Sequence, residues 1–131
     1  MSVQKLSTCI ITDKVDECRS FYEKYFNAAI RFDCGWYIDL QLGDESATLQ
    51  FKEPGGEDKR CPDTGGIVFN ILVKDVDGEH DRLTSAGLKS HSPLKSNPWG
   101  DRSFAVRDPN GIELYIYSEI EPSEEFKQYF K

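Results

Sequence analysis

Histidine and methionine are nearly missing from this chain of 131 residues, with two of the first and one of the second. A metal triad of two histidines and a carboxylate would need both His80 and His91 in one cleft. His80 falls at the edge of a helical apolar stripe, where packing is its expected role, and His91 in a polar stretch, LKSHSP, read as exposed. No cysteines are spaced as CxxC. Cys9, Cys18, Cys34 and Cys61 are scattered, which reads as reduced thiols rather than a disulfide framework. Positive charge is in deficit: 16 Lys and Arg against 23 Asp and Glu leave a net −7. That is the wrong sign for a phosphate backbone and compatible with a cationic or neutral ligand. No apolar run approaches the ~20 residues that span a bilayer. The opening MSVQKLSTCIITDK lacks the basic-then-apolar order of a secretory signal. A cytoplasmic protein with neither nucleic acid nor membrane as partner is the expectation.

What is present is a pattern that occurs twice. Residues 5–12, KLSTCIIT, and 67–73, IVFNILV, read as strands. An acidic turn and a helical stripe follow each: Val15, Cys18, Tyr22 and Tyr25 in the first, Val76, His80 and Leu83 in the second. Asp13 and Asp75 are expected N-caps, Asn27 and Gly87 the helix stops. Three strand candidates then follow in each half, AAIRF, WYIDLQL and ATLQFK in one, LKSHS, RSFAVR and IELYIYS in the other. Asp16 matches Asp77 and Trp36 matches Trp99. The expectation is an α+β domain across 1–131 built from two βαβββ repeats, paired edge to edge into a half-barrel cup. Repeat one covers about 5–52, a Gly/Pro linker 53–66, repeat two about 67–118 and a tail 119–131. In the tail, Phe126, Tyr129 and Phe130 lie at helical spacing after a Ser123 cap.

Alternation assigns faces to four of the strands. Leu6, Thr8 and Ile10 point to the helix side, as do Ala47, Leu49 and Phe51, then Ile67, Phe69, Ile71 and Val73, then Ile112, Leu114 and Ile116. The opposite faces carry Ser7, Cys9 and Ile11; Thr48, Gln50 and Lys52; Val68, Asn70 and Leu72; Glu113, Tyr115 and Tyr117. Such mixed faces suit the wall of a ligand site. Trp36, Tyr37, Trp99, Phe104, Tyr115 and Tyr117 supply aromatic surface at the cup or its rim, able to stack on planar ligands and cations. Asp39, Gln50, Asn70, Arg102 and Glu113 supply directional polar contacts. The DPNG turn at 108–111 is turn chemistry, with Gly111 providing a positive φ.

DKVDECRSFYEKYFNA, GGIVFNILVKDVDGEHDRLTSAGL and NPWGDRSFAVRDPNGIELYIY, taken in order, resemble the vicinal oxygen chelate superfamily, the glyoxalase, bleomycin-resistance and extradiol dioxygenase group. The resemblance covers about residues 5–118 and is nearest to a metal-poor branch. It implies that metal-dependent members place one His, Gln or Glu ligand on each of four strands. Those positions fall here on Ser7, Thr48, Val68 and Tyr115, so neither a metal nor another cofactor is expected. The resemblance further implies a homodimer that binds a small molecule without altering it, as drug-sequestering antibiotic-resistance proteins do. The alternative is an enzyme, either a divergent glyoxalase-like lyase or isomerase or another, metal-free member of the superfamily using Glu113 or a tyrosine.

Overall fold

A computed structural model describes residues 1–61 and 64–131. Two of the linker residues, Pro62 and Asp63, lie outside the described set. The chain forms two compact units, Met1–Thr64 and Gly65–Lys131.

The first unit contains β1 (Thr8–Ile11), α1 (Val15–Phe26), β2 (Ala29–Asp33), β3 (Tyr37–Gln41) and β4 (Thr48–Lys52). Its sheet runs β1-β4-β3-β2, parallel between β1 and β4 and antiparallel elsewhere. The second contains β5 (Val68–Leu72), α2 (Val76–Ser85), β6 (Ser92–Asn97), β7 (Asp101–Arg107), β8 (Glu113–Glu119) and α3 (Glu124–Lys127). Its order, β5-β8-β7-β6, is the same topology again. The fold is therefore α+β, two βαβββ units of four strands each, as the repeated pattern predicts.

One face of each sheet is covered by its helix. Val15, Cys18 and Tyr22 of α1 are buried with Ile38, Leu40 and Phe51, and the Tyr22 and Phe51 rings stack at 5.5 Å. In the second unit Val76 and Leu83 are buried with Phe104, Val106, Ile112, Leu114 and Ile116. His80 is half-buried and sets its ring edge-on against Phe104 at 4.9 Å, the packing role read for it. Asn27 ends α1 in the left-handed conformation (φ 50°) and Gly87 follows α2 at φ 96°. Asp75 caps α2 by accepting from the Gly78 N–H at 3.0 Å.

Several local expectations are corrected. Asp13 does not cap α1. Lys14 holds that position, and the Asp13 carboxylate pairs with Arg60 instead. The first strand begins at Thr8, not residue 5, because its partner β4 begins at Thr48 and leaves the earlier residues no ladder to join. Leu6 is accordingly 88% exposed, and Thr8 is exposed too. The strand expected at LKSHS lies instead over Ser92–Asn97. Pro93 argues against a strand in sequence, but β6 is an edge strand with a register shift between Ser92 and Lys95, where proline is tolerated. Phe104 is not at a cup rim but fully buried on the helix side. The tail helix is a single turn, so Phe126 is helical while Tyr129 and Phe130 follow it, both largely exposed.

Candidate functional site

The face of each sheet opposite its helix carries the polar and aromatic groups, and each unit is built separately. In the first, cross-strand register places Cys9, Gln50, Asp39 and Phe32 in one row and Ile11, Lys52 and Tyr37 in the next. Gln50 is buried and donates its Nε2–H to Asp39 Oδ1 at 2.8 Å. The second Asp39 oxygen is 3.8 Å from Arg31. The Phe32 ring meets Tyr37 edge-on at 5.9 Å. Trp36, just before β3, is 54% exposed beside Tyr37. Of the candidates from the sequence, Asp39 and Gln50 are in direct contact, while Trp36 meets Tyr37.

In the second unit β8 presents Glu113, Tyr115 and Tyr117 by alternation, between Asn70 and Leu72 of β5 and Ala105 and Ser103 of β7. The Tyr115 and Tyr117 rings are 5.9 Å apart. A polar network surrounds the Tyr115 hydroxyl, which donates to Asp101 (2.9 Å to Oδ2, 3.1 Å to Oδ1). The buried Asn97 amide donates to Asp101 Oδ1 at 2.8 Å and to Ser103 Oγ at 2.9 Å. Burial first, and the Asp101 carboxylate after it, push the Tyr115 phenol above its ordinary range, while hydrogen bonds from Ser103 and Trp99 act against this. Tyr37 of the first unit is shifted the same way, by burial first and then by Asp39. Trp99, on the turn between β6 and β7, is 45% exposed with its side chain reaching Tyr115.

Both phenols therefore keep their protons at a pH where an unfolded chain loses them. Their contribution to stability is complete below the ordinary tyrosine value near 10 and is lost as pH rises through the folded values. Alkaline difference absorbance of the folded protein should show a late fraction of tyrosinate, and that fraction should shrink in Tyr115→Phe. Titration of every tyrosine at one ordinary value would show that the network does not exist in solution.

Arg102 is not brought to this face. It pairs across with Ser118 on the helix side, and its guanidinium binds Asp77 of α2 at 2.9 Å and Ser96 Oγ at 3.1 Å. Asn97, Asp101 and Ser103 are the residues missed in sequence. Alternation along 101–107, anchored on an inward Phe104, would have placed Asp101 and Ser103 on the open face and Arg102 on the other.

At the other end of this face Arg107 and Glu113 are cross-strand partners, with His91 beside both. Arg107 Nη2 lies 3.1 Å from His91 Nε2 and Glu113 Oε1 lies 3.6 Å from the same nitrogen. The residues do not fit a divalent metal. Val68 and Thr48 open their strands, Ser7 precedes β1, and Tyr115 is a protonated phenol committed to Asp101. Among the described residues no three of His, Cys, Asp and Glu converge to hold an ion. No described helix is long and apolar enough to cross a membrane.

Comparison with known proteins agrees with this architecture. An uncharacterized protein of Mycobacterium bovis is 27% identical, over 81% of this chain and 77% of its own. The fold is shared with a lactoylglutathione lyase from Agrobacterium tumefaciens, at a TM-score of 0.71 and 19% identity, covering 89% of this chain and 94% of that one. It is shared equally with a bleomycin-binding protein solved in complex with bleomycin, at a TM-score of 0.68 and 21% identity, covering 89% and 99%. A family model matches residues 5–116, and with the doubled βαβββ topology this places the chain in the Glyoxalase/Bleomycin resistance protein/Dioxygenase superfamily.

Proposed function

We propose that this chain binds a planar, cationic small molecule without a metal and without altering it, in the manner of bleomycin-resistance proteins. The observation that carries the reading is the cluster on the open face of the second unit. There the Tyr115 hydroxyl meets the Asp101 carboxylate, with the Tyr117 ring beside Tyr115 and the half-exposed Trp99 reaching it. Aromatic faces attract cations through the ring quadrupole, and a nearby carboxylate adds charge complementarity. The net charge of −7 raises the local concentration of such a ligand. A neighbour of the same fold is a bleomycin-binding protein solved in complex with bleomycin, which supports the reading.

The reading includes a cytoplasmic homodimer. Val68 and Leu72 stand exposed on the same face as Tyr115, apolar surface that a second copy would cover. Light scattering should give a particle of twice 15.0 kDa, and a monomer at tens of micromolar would remove the dimer from the proposal.

The test of binding is quenching of tryptophan fluorescence by bleomycin and by proflavin, with and without EDTA, on protein whose metal content has been measured. The expectation is saturable binding of at least one probe, indifferent to EDTA, by protein carrying no stoichiometric metal. About one divalent ion per chain, or binding abolished by EDTA, contradicts the metal-free reading. No binding of either probe contradicts the cationic one. A lyase or isomerase reading has one observation in its favour, Glu113 on the open face beside His91 and Arg107. Lactoylglutathione formation by the purified protein would establish it.

A further inference from the structure

The Pro98-Trp99-Gly100 turn is not left to itself at the sheet's edge. β8 runs to Glu119, opposite Asp101, and the chain then continues along the turn. The Ile120 N–H donates to the Gly100 carbonyl at 2.9 Å, and the Ser123 N–H to the Pro98 carbonyl at 2.8 Å. The carbonyls on both sides of Trp99 are therefore tied to one segment. Gly100 has φ +115°, a conformation that favours glycine, and a Cβ there would meet Pro122 at 3.3 Å, so the turn and the segment are in close contact. From α3 the Phe126 ring then meets the indole edge-on at 6.4 Å, with Tyr129 behind it at 6.1 Å. Lys127 fastens this turn of helix back to Glu121 at 2.7 Å and to Glu124 at 2.9 Å.

A tryptophan on a hairpin turn, nearly half exposed, would ordinarily exchange rotamers and have to be ordered when a ligand arrives. We infer that the segment Ile120–Phe126 positions Trp99, with Phe126 and the Ser123 N–H as contacts that act beside the hydrogen bond of the indole to Tyr115, so that the indole is set for stacking before any ligand binds. The inference rests on the proposed binding site and adds how that site is kept ready. Loss of the clamp should weaken binding about three- to tenfold, the usual cost of ordering one large side chain.

Two pairs of variants test this. Ser123 sits at φ −66°, a value proline adopts, so Ser123→Pro deletes the N–H donor while keeping the backbone path, and Ser123→Ala is its control. Phe126→Ala removes the ring contact and Phe126→Tyr restores it. In ligand-free protein labelled at the indole nitrogens, the order parameter of Trp99 should fall from about 0.85 to below about 0.6 in Ser123→Pro and in Phe126→Ala. Trp36 should not change, and Ser123→Ala and Phe126→Tyr should resemble the parent. The proflavin affinity should follow the same division. Trp99 remaining rigid in both damaging variants overturns the inference. So does a mobile Trp99 with proflavin affinity unchanged. Failure of both proflavin and bleomycin to bind the parent protein would refute the proposed function, while the order parameters would still decide whether the segment holds Trp99.

Discussion

Phe104→Ala should lower the unfolding free energy by about 3–5 kcal/mol, the range for removing a buried aromatic ring and leaving its cavity. Phe104 has no exposed surface, faces Ile116 across the strand pair and receives the edge of His80 from α2. It lies on β7, bonded on both sides by β6 and β8, so the sheet has little freedom to collapse into the space. Phe32 is the comparison. It is the same residue type on β2, an edge strand, and 54% exposed, so Phe32→Ala should change stability by no more than about 0.5 kcal/mol. Urea unfolding followed by circular dichroism checks both. Equal losses would mean that burial does not rank these two rings.

Removing either principal aromatic of the open face should cost about ten- to hundredfold in affinity for a stacked probe, on the order of 1–3 kcal/mol. Trp99→Ala deletes the indole that hydrogen-bonds Tyr115. Tyr115→Ala deletes a ring and also strands the Asp101 carboxylate, which loses its phenolic donor but keeps Asn97. The two residues touch through one network, so the double variant should lose less than the product of the single losses. Arg102→Ala, on the helix side with Asp77, should leave the affinity unchanged and cost some stability. Proflavin titrations of the four proteins measure all of this. Undiminished binding by both aromatic variants would move the site elsewhere.

The topology was legible because the apolar periods change from two to 3.6 and back in each half, and because Asp75, Asn27, Gly87 and the DPNG turn punctuate them with unambiguous chemistry. Alternation on β8 correctly grouped Glu113, Tyr115 and Tyr117 on one face. The failures have local causes. Asp13 has the right chemistry for a cap, but a charge from far along the chain, Arg60, takes it. Pro93 hides an edge strand, since nothing in sequence marks an edge. Residue type alone puts Arg102 and Phe104 at the cup, whereas the alternation of 101–107 puts both on the helix side, where they lie. Asn97 was unreadable as a site residue, because its partners Asp101, Ser103 and Tyr115 meet only when β6, β7 and β8 are side by side.

The most direct measurement for the claim that the open face of the second unit binds the ligand is chemical-shift mapping with proflavin on isotope-labelled protein. Saturable shifts at the Trp99 indole and at the amides of Asn97, Asp101, Tyr115 and Tyr117, with α1 and α2 unmoved, are the predicted result. Shifts confined to the helix side, around Asp77, His80 and Arg102, would contradict it.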